Sequence, residues 1–186
     1  SITGPFLALL GASATVVGLV AGLGELIGYV LRLASGYLAD KTKQYWTIVF
    51  CGYAMNLLAV PLLALAGFWE LAATLIIVER MGKAIRTPAR DVMLSCASDQ
   101  IGRGWGFGLH EALDQIGAIL GPLVVTTVLF VNGSYRSGFA LLLVPALMAM
   151  SVLFAAYKLY PDPHNLGSAS VKIHSRGFPR AFWIYI

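Results

Sequence analysis

What most limits the fold of this chain is a succession of apolar runs long enough to cross a lipid bilayer. A spanning helix needs about 20 mostly apolar residues. Five segments meet that demand, at residues 14–38, 46–66, 69–97, 107–131 and 137–157. The third is apolar only to Val78 and then turns charged, while keeping helix-compatible residues to Ala97. Residues 1–10 read as the outer end of a preceding helix, and residues 179–186 as the start of a following one, so a fragment of a longer protein is expected. Gly67-Phe68-Trp69 and Asn132-Gly133-Ser134 are tight, breaker-containing turns. Residues 161–178, with Pro, Gly, Ser and Asn, form the one long connection and read as a linker.

Composition supports lipid as the solvent. Of the 186 residues, 58% are hydrophobic and only 12% charged, about half the charged share of an ordinary soluble domain. The formal net charge of +4 does not point to nucleic acid, because the basic residues sit in short loops and at helix ends. One set of loops carries Lys41, Lys43, Arg103, Lys158, Lys172, Arg176 and Arg180, whereas the alternate loops carry only Arg136. The positive-inside rule places the first set, and the 161–178 linker, in the cytoplasm. Cys51 and Cys96 lie in different apolar stretches and define neither a disulfide framework nor a metal site.

Ionisable residues within such spans are costly unless they face a partner or a cavity. In the first span Gly18, Gly22, Glu25, Tyr29, Arg32 and Gly36 follow one another at spacings of 4, 3, 4, 3 and 4, which puts them on one helical face. Two readings stand: a polar face lining a cavity, or a packing seam in which Gly18 and Gly22 admit a neighbouring helix and the charges pair locally. In the third span Glu79, Lys83, Arg86 and Arg90 share a face, with Arg80 beside them at a depth of about 15 Å, at 1.5 Å per residue. Glu79 and Lys83 could form an i, i+4 ion pair, and Pro88 is expected to bend the helix. The fourth span gathers His110, Glu111, Asp114, Gln115, Gly117, Ala118 and Gly121 on one broad face, opposite Leu109, Leu113, Ile116, Leu120 and Leu123. Buried carboxylates of this kind can carry protons, or can be structural partners of Arg80 or Lys83. His110-Glu111-Ala112-Leu113-Asp114 also has the outline of the zinc-protease pattern H-E-x-x-H with Asp in the last place. No further ligand accompanies it, and neither a metal nor any other cofactor is expected.

Three motifs resemble those of the major facilitator superfamily. Gly36-Tyr37-Leu38-Ala39-Asp40-Lys41 is similar to that family's loop motif between helices 2 and 3, G-x-L-A-D-R/K-x-G-R. Lys43 and Gln44 stand where the motif has glycine and a basic residue, which predicts a less tight turn. Arg80 followed by Gly82 resembles the buried arginine motif of helix 4. Gly117 to Pro122 resembles the helix 5 motif G-x-x-x-G-P-x-x-G-G, and Arg103-Gly104 the short turn before that helix.

The resemblance implies an all-α membrane protein, a partial six-helix N-terminal bundle. Residues 1–160 would carry the end of helix 1 through helix 6, residues 161–178 the cytoplasmic linker between halves, and residues 179–186 the start of helix 7. It implies secondary transport of a small solute by alternating access at a bacterial-type plasma membrane, with the lipid bilayer, the missing C-terminal half and a proton as partners. Glu25, Arg32, Arg80, Glu111 and Asp114 are the candidates for the cavity or for coupling. Gly36, Asp40, Lys41 and Arg90 are those for the gating loop, with Asp40 expected to pair with Arg90. Gly117, Gly121 and Pro122 would shape helix 5 against its neighbour. A sensor of transporter-like fold without flux, and an intramembrane metalloenzyme built on His110, Glu111 and Asp114, are the rival readings.

Overall fold

The computed structural model describes residues 3–99, 101–132 and 134–161. The linker beyond Pro161 and the expected start of a further helix at residues 179–186 lie outside the described residues. Within them the chain is a bundle of antiparallel helices: α1 (Thr3–Leu9), α2 (Ala14–Thr42), α3 (Tyr45–Leu62), α4 (Trp69–Ala97), α5 (Arg103–Asn132), α6 (Tyr135–Leu141) and α7 (Leu143–Leu159), with a 3-10 turn at Leu63–Leu65. No strand occurs among the described residues, as expected where lipid offers no partner for an unpaired backbone group. Helices α2, α3 with its 3-10 turn, α5, and the α6–α7 pair are long and apolar enough to cross a membrane. Helix α4 is as long as α2, and its charged half sets it apart.

The helix boundaries follow local chemistry. Ser13 caps α2, its Oγ accepting from the Val16 amide at 3.3 Å. At the other end Lys43 adopts a left-handed conformation (φ 56°) and its N–H bonds Ala39 O at 2.8 Å. Lys43 thus makes the turn that glycine makes in the family motif, and α3 begins two residues later. The looser turn expected from its sequence does not occur, because the lysine accepts the strained backbone instead.

The expected fifth span is broken in two at Leu142. Pro145 has no N–H to give to Leu141 O, and its ring crowds that carbonyl. At the break Leu142 N bonds Phe139 O, three residues back, at 3.2 Å, a tightened turn.

Helix α4 is the axis of the bundle. Its most extensive interfaces are with α3 and then α2. The α3–α4 crossing is set by two glycines. A Cβ added at Gly52 would stand 2.7 Å from Gly82 O and 2.6 Å from Arg86 Cβ, and one added at Gly82 would stand 2.6 Å from Asn56 N. Neither position tolerates a side chain, so the two backbones touch. On α2, Gly24 passes the Arg80 stem and Gly36 packs against Pro88. Among the described residues no atom lies within 4 Å of a Cβ added at Gly18 or Gly22, so none of them packs against α2 at those two positions.

Two apolar clusters close the ends. One gathers Phe6, Leu7, Leu63, Ala72, Ile76 and Phe139 around the first turns of α4. The other gathers Ala39, Tyr45, Ile48, Val49 and Ala89 beside the Lys43 turn. Helix α5 leans chiefly on α6, and between Phe107 and Leu120 almost every residue is exposed.

Candidate functional site

Between the two clusters the bundle is polar, and α4 makes it so. Glu79, Arg80 and Lys83 project from the middle of this helix into two clefts, one on each side. The polar face of α2 forms the far wall of the first. Arg80 Nη1 donates to Glu25 Oε1, so two intramembrane charges fifty-five positions apart in sequence are partners. The Arg80 stem reaches across α2 over Gly24, where a Cβ would lie 2.6 Å from Arg80 Cδ. This first cleft, of about 290 Å³, is lined by Glu25, Tyr29, Arg32, Glu79, Arg80 and Lys83, with Gly24, Gly28 and Ala84 as its floor. Arg32 lies 5.8 Å from the Tyr29 ring centroid.

Helix α5 walls the second cleft, of about 570 Å³, where Gly117, Ala118, Gly121 and Pro122 face the same Glu79, Arg80 and Lys83. An added Cβ at Gly117 or Gly121 meets nothing within 4 Å. These glycines therefore keep space open beside α4 among the described residues.

Both carboxylates of the first cleft are engaged. Glu25 holds Arg80, and Glu79 accepts from Asn56 Nδ2 at 2.9 Å, with a second bond from the same nitrogen to Glu79 O at 3.2 Å. The i, i+4 pair expected between Glu79 and Lys83 is absent, since Glu79 turns to α3. Among the described residues no carboxylate lies within ion-pairing distance of Lys83 or Arg32.

Further along α4, Arg86 is buried at 8% exposure and stacks 4.2 Å above the Tyr53 ring. Its Nε has no hydrogen-bond partner. Asp114 of α5 interacts with it through space. Ser35 Oγ joins α2 to α4 by a bond to Ala84 O at 3.4 Å. Arg90 donates to Asp91 at 2.9 and 3.1 Å rather than to Asp40, the partner expected from sequence. A neighbour one residue away along the chain satisfies it. Asp40 and Lys41 are exposed at the end of α2, and Gly36 lies against Pro88.

Glu111 accepts from Gln115 Nε2 at 2.8 Å, one turn along its own helix, and not from Arg80 or Lys83. Among the described residues no three His, Cys, Asp or Glu side chains come together as a metal site. The structure thus unites Glu25, Arg32 and Arg80, sets Asp114 near Arg86, and leaves Glu111 with Gln115.

Asn56, Lys83, Tyr53 and Gly52 also belong to this constellation. Asn56 carried a readable signal, as a polar residue in the middle of an apolar span. Tyr53 and Gly52 carried none, because α3 is apolar on all sides and shows no stripe.

An antiparallel helical bundle with spans of bilayer length and a charged mid-membrane centre defines a polytopic membrane protein. The family model of the Major Facilitator Superfamily matches residues 1–183, and the chain belongs to that superfamily of transporters. It is 42% identical, over its whole length, to an uncharacterized protein of Mycobacterium tuberculosis, of which it covers 47%. It is 31% identical over 95% of its length to an uncharacterized MFS-type transporter of Methanocaldococcus jannaschii, of which it covers 44%. A similar MFS-type transporter of Bacillus subtilis is 27% identical over 67% of this chain and 31% of its own length. The chain spans about half the length of the first two relatives. No solved structure matches it significantly.

Proposed function

We propose that this chain is the N-terminal half of a secondary transporter that moves a small solute by alternating access, coupled to protons through Glu25. The observation that carries this reading is the Arg80–Glu25 pair facing an open cleft in the middle of the bundle. A proton on Glu25 neutralises the carboxylate and removes the charge that holds Arg80. The guanidinium is then free for another acceptor, and the tie between α2 and α4 loosens. Loss of the proton restores the tie. One protonation event thereby changes both the charge of the site and the packing of two helices, which is what coupling needs. Asp114, with Arg86 as its electrostatic neighbour, is the second candidate carrier on the path towards the cytoplasmic end. Gly36, Asp40 and Lys41 would form the gating loop there, and the protein would sit in a bacterial-type plasma membrane with its second half closing the site.

The test is flux in proteoliposomes holding the full-length protein, with and without a proton gradient, for wild type, Glu25→Gln and Asp114→Asn. Gradient-driven accumulation should fall at least tenfold in Glu25→Gln, while solute exchange at equal concentrations persists, since only the coupling is removed. Equal loss of both activities would make the pair structural. Flux indifferent to the gradient in wild type would remove proton coupling. Asp114→Asn should change the pH at which flux is half-maximal if Asp114 lies on the same path, and leave it unchanged if Asp114 serves only Arg86.

A further inference from the structure

The first cleft has a charge imbalance that the pairing pattern makes specific. Three cations, Arg32, Arg80 and Lys83, face two carboxylates there. Glu25 is committed to Arg80, and Glu79 to Asn56 on α3. Among the described residues Arg32 and Lys83 have no ion-pair partner, yet they approach one space from opposite walls, α2 and α4. Arg32 has only the Tyr29 ring beside it, a weak substitute for an anion. Lys83 has the Glu79 carboxylate only through space, beyond ion-pairing distance, and Arg32 has no carboxylate in pairing range, an arrangement costly within a membrane. An anion arriving between them relieves both, and a guanidinium is shaped to grip a carboxylate with two parallel N–H donors.

The opposite side of α4 gives the rest of the shape. Lys83 and Arg80 also border the second cleft together with Glu79 and Thr3, and the wall that α3 and α5 add is small or apolar: Val60, Gly117, Gly121, Pro122 and Val125. A solute reaching across α4 at this level would place its charge towards α2 and an uncharged body towards α5. A doubly charged, compact anion would leave the apolar wall unused. A cation would meet Arg32 and Lys83 head on.

We propose that this site takes an organic monoanion, a carboxylate on an apolar body, with Arg32 and Lys83 as its charge-binding residues. The proposal rests on the transport reading, in that it names the solute class for the same cavity. It also gives the proton a purpose. When Glu25 is protonated, Arg80 becomes a third donor to the carboxylate, so proton and anion favour one another's binding.

Binding can be measured without transport. Full-length protein in nanodiscs is titrated by calorimetry with benzoate and phenylacetate, against benzylamine and succinate. The two monoanions should bind, benzylamine should not, and succinate should bind at least tenfold more weakly. Arg32→Gln and Lys83→Gln should each weaken benzoate at least tenfold, whereas Arg32→Lys should recover part of the loss and Lys158→Gln, outside the cleft, should have no effect. Glu25→Gln, which frees Arg80 from its carboxylate partner, should strengthen benzoate binding at constant pH. Absence of binding by either monoanion, or equal binding of benzylamine, overturns the proposal. Benzoate binding untouched by both glutamine variants also overturns it. Monoanion binding without flux would keep the site and sink the transport reading. Flux confined to cations would do the reverse.

Discussion

Lys43 shows how much one residue can hold in an unfavourable state. A non-glycine residue in the left-handed region costs about 1–2 kcal/mol, and here it closes the turn between α2 and α3. Lys43→Gly should therefore raise stability, by about 0.5–1 kcal/mol after glycine's greater freedom in the unfolded chain is deducted. Thermal unfolding of the full-length protein in detergent measures it, and a fall in Tm would show that the lysine side chain contributes more than its backbone costs. Asn56 poses the converse case. It satisfies Glu79 with two bonds from one amide nitrogen, so Asn56→Leu should destabilise by about 1 kcal/mol, the low end of the cost of leaving an acceptor unpaired, because Glu79 is only partly buried. The double variant Asn56→Leu, Glu79→Leu should recover most of that loss. Sequence made the charged residues legible one at a time, because a charge in an apolar run stands out. It could not pair them. Whether Glu25 meets Arg32, two turns along its own helix, or Arg80 on another depends on the rotation of α2 against α4, and no local pattern encodes that rotation.

At the scale of the element, α3 and α4 behave as one unit. Their backbones touch at Gly52 and Gly82, and the contact fixes both their separation and the height at which Arg86 meets Tyr53. Gly52→Ala or Gly82→Ala should cost about 1–3 kcal/mol by overpacking, whereas Gly18→Ala on open α2 should be neutral or slightly stabilising, because alanine is the better helix former. Parallel Tm measurements on the three variants check this, and equal losses would mean that Gly18 is covered in the complete protein. The helices themselves were legible. Their limits fell close to the expected ones because caps, prolines and lengths are local signals. The break at Leu142 was readable in principle from Pro145. The α3–α4 crossing was not, since a glycine in a uniformly apolar helix looks the same whether it faces lipid or another backbone.

At the scale of the whole molecule, the described residues bury one side of their charged centre and leave the other open. The exposed face of α5 and the open clefts on either side of α4 describe half an enclosure. On the proposed transport reading, a second polypeptide carrying the complementary half should restore flux when produced together with this chain, and this chain alone should give none. Co-expression followed by an uptake assay decides it. That the fold class was legible at this scale has a simple cause: span length, loop charge and motif order survive in the linear text, whereas the depth and rotation that build a cavity do not.

Helix α5 carries His110, Glu111 and Asp114 through a stretch where the bundle offers almost no cover. A carboxylate left in hydrocarbon costs roughly 2.5–3.5 kcal/mol on insertion scales, and α5 has two. Its stay in the membrane during synthesis is therefore conditional. It should linger beside the insertion machinery until later helices arrive to shield it, and a ribosome stalled soon after Asn132 should leave a nascent chain that crosslinks to that machinery and is cleared by membrane proteases. Replacing Glu111 and Asp114 by Gln and Asn should shorten the delay. The two carboxylates of α5 would thus also time the protein's own assembly.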